Sequence, residues 1–131
     1  MKEKEFVPYD LALRLKALGF KERTLTYYED GKPKLHDAIE GWDFNSSFLT
    51  CISRPIFSQV FKWFRDKYET ISVIEFSNDG EYWKDVKYNV TISEFKYFAT
   101  HDSFVKYGYK TYEEAELDCL VKLIEIIEKD K

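Results

Sequence analysis

Between Thr111 and Ile127 the order of polar and apolar residues writes out a helix start, a buried face and a solvent face. Thr111 and Glu114 stand at the spacing of a capping box, in which each side chain satisfies an orphan N–H near the other's backbone. Tyr112, Ala115, Cys119, Leu120, Leu123, Ile124 and Ile127 then recur at three- and four-residue steps and share one side. Glu113, Glu116, Asp118, Lys122, Glu125 and Glu128 fall mostly on the other. Such a stripe must be covered, so the rest of the chain has to supply a surface that receives it. The pattern speaks of folding and says little about chemistry.

At 131 residues the chain fits one domain spanning 1–131. A chain of that size buries roughly two-thirds of the surface its unfolded form exposes. Its unusual component is aromatic: eleven Phe, ten Tyr and three Trp. Rings of this kind build compact cores, and where Tyr and Trp are in surplus they also line grooves and interfaces.

The first helix is expected to begin near Pro8, with Leu11, Ala12, Leu15 and Leu18 inward and Gly19 as its left-handed stop. Thr24 to Tyr28 reads as a short strand with Leu25 and Tyr27 facing one way, ended by a turn over Glu29-Asp30-Gly31 and Pro33. From Lys34 to Cys51 two readings stand: a continued hairpin through Leu35 and Ile39, or a loop around Gly41-Trp42-Asp43. Ser53 can cap and Pro55 can open a second helix, IFSQVFKWFRDKY, whose stripe of Phe57, Val60, Phe61, Phe64 and Tyr68 is widened by Ile56 and Trp63. Ile71 to Phe76 and Tyr82 to Thr91 form the best hairpin, turning at Asn78-Asp79-Gly80, with Val86, Tyr88 and Val90 on one face. Phe95 to Tyr109 has no settled period and reads as one further strand plus an irregular loop around His101. The expected fold is α+β: three amphipathic helices packed on one face of a small antiparallel sheet.

Three blocks, YDLALRLKALGF, SRPIFSQVFKWFRDKY and YKTYEEAELDCLVKLIEII, carry a resemblance. With its Trp63-Phe64-Arg65 unit and its Tyr112-Glu113-Glu114-Ala115 helix start, the chain resembles a loose group of small uncharacterised proteins encoded by bacterial phages, prophages and mobile elements. The resemblance implies a bacterial or phage origin and a cytosolic setting, and it carries over no catalytic or binding residue.

The formal charge of −4 argues against a non-specific nucleic-acid binder, whose affinity comes from neutralising phosphates. MKEKEFVPYD lacks the apolar stretch of a signal peptide, and no apolar run is long enough to span a bilayer, so no membrane is expected and a cytoplasmic, thiol-reducing setting is. In that setting the sequons at Asn45 and Asn89 carry no weight. Cys51 and Cys119 lack metal-ligand spacing, and Cys119 sits on the apolar side of the last helix as a small hydrophobe.

There is no glycine-rich phosphate loop, no GKS/T, no HExxH and no GxSxG. Two coincidences remain. His36-Asp37 and His101-Asp102 would form a metal or proton-transfer site if they met, although two surface histidines in polar loops is the plainer reading. Arg54, Lys62, Arg65 and Lys67 interleave with Trp63 and Tyr68, the residue types that stack on a base and grip phosphate; a solvated helix face is again plainer. The expected function is therefore a non-enzymatic interaction protein that acts through a protein partner, self-association included, with no cofactor and no metal. Trp42, Phe44, Trp63, Trp83 and Tyr88 are the candidate exposed contact residues. The alternative is a small-ligand or nucleotide binder gripping through Arg54, Trp63 and Arg65. A weaker one is a metal-dependent enzyme using His36 and His101.

Overall fold

The computed structural model describes residues 3–36, 40–78, 86–96 and 98–130. The class is α+β, with four α-helices and two three-stranded antiparallel sheets where one sheet and three helices were expected. The residues group into two compact units, Met1–Val60 and Phe61–Lys131.

The first unit opens with a 3-10 turn, Glu3–Glu5, and helix α1, Tyr9–Leu18. Leu11, Ala12, Leu15 and Leu18 are buried, as their spacing requires. Gly19 at φ 95° ends the helix: its N–H reaches Lys16 O at 3.0 Å and the Phe20 N–H reaches Leu15 O at 3.0 Å. Strands β1 (Thr26–Glu29), β2 (Lys32–Leu35) and β3 (Cys51–Arg54) pair in the order β2-β1-β3. The β1–β2 turn is Asp30-Gly31, both at positive φ, so Pro33 lies inside β2, opposite Tyr28, on the edge strand where its missing N–H is tolerated. The buried side of the first strand carries Thr24, Thr26 and Tyr28, the side opposite Leu25 and Tyr27. Their polar atoms are satisfied: Thr24 Oγ1 donates to Thr26 O at 2.7 Å, Thr26 Oγ1 to Arg54 O at 2.8 Å and the Tyr28 hydroxyl to Val7 O at 2.6 Å.

The segment after β2 returns to the sheet through paired Thr24–Trp42 backbone bonds of 2.9 and 3.0 Å. This approach is why Gly41 is glycine: at φ 75°, a Cβ there would sit 2.7 Å from Thr24 O. Asp43 accepts from the Ser46 N–H at 3.2 Å and caps the short helix α2, Phe44–Ser47. Ser53 does not cap the helix that follows. It lies in β3, which is buried along its whole length, and its N–H donates to Asn45 Oδ1 at 2.8 Å. Helix α3, Phe57–Tyr68, begins beyond Pro55, and the division between the two units falls inside it.

In the second unit β4 (Thr70–Asn78), β5 (Val86–Lys96) and β6 (Ala99–Tyr109) form a meander in the order β4-β5-β6, and α4 (Tyr112–Lys129) lies against all three strands. Thr111 Oγ1 accepts from the Glu114 N–H at 3.1 Å, half of the expected capping box. Ala115, Cys119, Leu120, Leu123, Ile124 and Ile127 are buried, and Val86, Val90, Ile92 and Glu94 are the buried positions of β5. The stretch around His101 is strand rather than loop. β6 is one strand, Ala99–Tyr109, interrupted by two bulges that shift its register against β5. Those bulges are what hide its period from an alternation reading. Asp79, Gly80 and Trp83 lie outside the described residues.

A charge inside the α4 seam has no partner, so Leu120→Asp or Ile124→Asp is expected to abolish cooperative unfolding. Leu123→Ala is expected to cost about 2–5 kcal/mol while keeping the fold. Thermal melts followed by circular dichroism separate the two outcomes.

Candidate functional site

The side chains picked out for gripping a ligand are placed differently from one another. Arg54 ends β3 rather than sharing the basic helix face, and its side chain is buried. Its guanidinium lies 4.0 Å from the Phe6 ring centroid and 5.4 Å from that of Tyr28, and Nη2 is 3.1 Å from Glu3 Oε2. This holds the N-terminal segment against the sheet, together with the Val7 N–H to Pro55 O bond of 2.9 Å. Arg54 Nε is buried and has no hydrogen-bond partner among the described residues. Trp63 is also buried, with Phe64 and Tyr68 edge-on to it at 5.0 and 5.4 Å and Lys67 Nζ 5.1 Å from its centroid. Arg65 is exposed, 3.8 Å from Asp66, while Lys62 pairs with the same carboxylate one turn away.

Of the expected contact rings, Trp42 is 42 % exposed, whereas Phe44 and Trp63 are only 2 % and 6 % exposed and belong to the core. Phe44 opens the short helix α2 and stacks on Tyr27 at 4.4 Å, which buries its ring. Tyr88 is half-buried and meets Tyr112 edge-on at 5.8 Å.

The histidines are equally occupied by local structure. His36 lies against Phe44 and Trp42, at 5.3 and 6.3 Å between ring centroids. Its neighbour Asp37 is outside the described residues. His101 Nε2 is 3.2 Å from Lys96 O, and Asp102 accepts from Ser93 Oγ at 2.8 Å. Among the described residues no three His, Cys, Asp or Glu side chains gather as a metal would require. Both cysteines are free and buried, and burial pushes the Cys119 thiol up to about 12, an unreactive thiol.

The ionisable groups of the second unit tie its elements together. Glu94 accepts from Ser103 Oγ and pairs with Lys96 Nζ at 3.1 Å; Lys96 also reaches Asp130 at 3.7 Å, at the end of α4. Burial opposes ionisation of Glu94, but the Ser103 hydroxyl and the Lys96 ammonium outweigh it and hold its carboxyl below the ordinary value. The Tyr109 hydroxyl donates to Asp118, and burial together with that carboxylate pushes the phenol up.

Several large apolar side chains are left open. Phe98, Tyr107 and Phe76 are 97 %, 71 % and 67 % exposed, all on or beside the second sheet. Ile71, Val73, Phe95 and Val105 are exposed on the side of that sheet away from α4, because they alternate with the positions that face the helix. Sequence reading missed these residues. The signal was present as aromatic and β-branched residues on the strand positions that alternate with those facing α4. No helix among the described residues is long and apolar enough to cross a membrane. Comparison with family models, with curated proteins and with solved structures found no match.

A folded carboxyl held below its unfolded value contributes stability that is fully present above the unfolded value, about pH 4.3 for glutamate, and is lost as pH falls through the folded one. Wild type is therefore expected to lose melting temperature more steeply below about pH 4 than Glu94→Gln. Arg54→Met removes the unpartnered Nε while keeping the packing over Phe6, so its melting temperature is expected to match or exceed that of wild type.

Proposed function

We propose that this chain is a non-enzymatic interaction protein that works through protein–protein contact, self-association included, in the bacterial cytosol, and that it is of the phage or mobile-element kind its three sequence blocks resemble. The observation that carries the contact reading is the apolar surface of the second sheet. On the side turned away from α4, Ile71, Val73, Phe95 and Val105 remain exposed. Exposed apolar residues grouped on one face of a sheet mark an interaction surface. The polar groups support the same reading, since Glu94, Lys96, Asp118 and Arg54 are engaged by neighbours within their own units. The nucleotide alternative has less support, because the guanidinium of Arg54 and the ring of Trp63 are buried against their own neighbours.

Size-exclusion chromatography with light scattering at tens of micromolar is expected to give a dimer or larger species, and an apolar-surface dye is expected to bind the folded protein. A strict monomer that also leaves the dye dark would overturn the contact reading.

A further inference from the structure

The two sheets have four edges, and three of them carry devices that discourage pairing. β2 presents Lys32, Pro33 and Lys34. Along β3, Asn45 takes the Ser53 N–H at 2.8 Å and the Val7 N–H takes Pro55 O at 2.9 Å. β6 is interrupted by two register shifts and carries His101, Asp102 and Lys106. Lysine, proline, bulges and covering groups are the usual means by which an open strand is kept from pairing.

Among the described residues β4 shows none of them. TISVIEFSN pairs with β5 without a register shift over nine residues, contains no Pro, Gly, Lys or Arg, and carries one charge, Glu75. Its β-forming run leaves Ile71, Val73 and Phe76 exposed. Among the described strands its sole neighbour is β5.

The direction of its backbone groups follows from one bond. The Phe95 N–H donates to Glu69 O at 3.3 Å, and the β4–β5 register sets these two residues opposite each other. Antiparallel ladders alternate bonded and non-bonded pairs, so Ile71, Val73 and Glu75 bond to β5. Ser72, Ile74 and Phe76 aim their N–H and C=O groups away from it.

We propose that β4 is the strand through which two copies of this chain join, β4 against β4 antiparallel about a two-fold axis at Ile74, making one continuous sheet of the two β4-β5-β6 meanders. Ile74 is the midpoint of the strand, so this register overlaps all nine residues, about 30 Å of edge. It sets Ile74 opposite its copy and Ser72 opposite Phe76, which brings the outward groups together as bonded pairs. It also sets Glu75 opposite Val73, whereas an axis at Glu75 would oppose two like charges, which is destabilising. The inference rests on the contact reading and names the partner as a second copy.

Phe76→Pro tests the edge. The Phe76 N–H points away from β5, so proline removes no bond of the existing ladder but blocks the new one. Phe76→Ala controls for the lost ring. The expectation is a dimer for wild type, a weakened dimer for Phe76→Ala and a monomer with an intact melt for Phe76→Pro. Val73→Lys and Val73→Glu test the register: both lose the valine, but the first faces Glu75 of the second copy with an opposite charge and the second with a like one. Their dimer dissociation constants are expected to differ on the order of tenfold, tighter for Lys. Amide exchange at Ser72, Ile74 and Phe76 is expected to slow as protein concentration rises, while Ile71, Val73 and Glu75 stay protected throughout. A wild-type dimer unchanged by Phe76→Pro, or indifferent to the sign at position 73, overturns the β4 register and leaves the contact reading standing. A monomer at every concentration that still binds the apolar dye does the same.

Discussion

The second unit depends on the burial of one helical stripe on one sheet face. Ala115, Cys119, Leu120, Leu123, Ile124 and Ile127 have no cover of their own, and the alternation of β5 supplies it through Val86, Val90 and Ile92. The ties from Tyr109 to Asp118 and from Lys96 to Asp130 fix how the helix lies on that face. Once that direction is set, every second residue of each strand must point the other way. The exposure of Ile71, Val73, Phe95 and Val105 is thus a geometrical consequence of covering a meander on one side only.

The first unit solves the same problem with shorter pieces. Its strands are four residues each, too short to hold a helix by area alone, so directed bonds take a larger part. Thr24, Thr26, Tyr28, Asn45 and Ser53 each hold a specific backbone group through their side chains. A buried polar group left without a partner is costly, and each of these side chains has one. Arg54 fits the pattern except for Nε. Its charge is set against Phe6, Tyr28 and Glu3 in a place where an apolar side chain would also pack, so it locates the N-terminal segment more than it stabilises it.

Helix periods were legible from the residues alone, because a stripe at three- and four-residue steps has one interpretation. Leu11 to Leu18 and Ala115 to Ile127 are buried as their spacing demands, and Gly19 stops its helix as read. The long hairpin was legible for the same reason, through the alternation of Val86, Tyr88 and Val90. Three things were not. The division into two sheets depends on long-range pairing, such as Thr26 with Arg54, that no local pattern announces. The bulges of β6 break the two-residue period and made a strand look like loop. Two of the five contact candidates, Phe44 and Trp63, were misjudged because they were weighed by ring type, whereas burial is decided by neighbours: Tyr27 for one, Phe64 and Tyr68 for the other.

The same distinction bears on function. A catalytic or ligand-gripping group has to keep bonding capacity in reserve, and the charged groups that stand out in this chain spend theirs on their own fold. Glu94 is taken by Ser103 and Lys96, Asp118 by Tyr109, and Arg54 by Glu3 and Phe6. The backbone of β4 does keep such a reserve, because alternation leaves the N–H and C=O of Ser72, Ile74 and Phe76 pointing away from β5. Lysines, a proline, an asparagine and two bulges guard the other three edges, so the bare one stands out as a difference in treatment within a single chain. Ladder groups turned away from β5, beside exposed Phe76 and Val73, favour a partner that brings both hydrogen bonds and apolar surface, and an extended strand brings both at once.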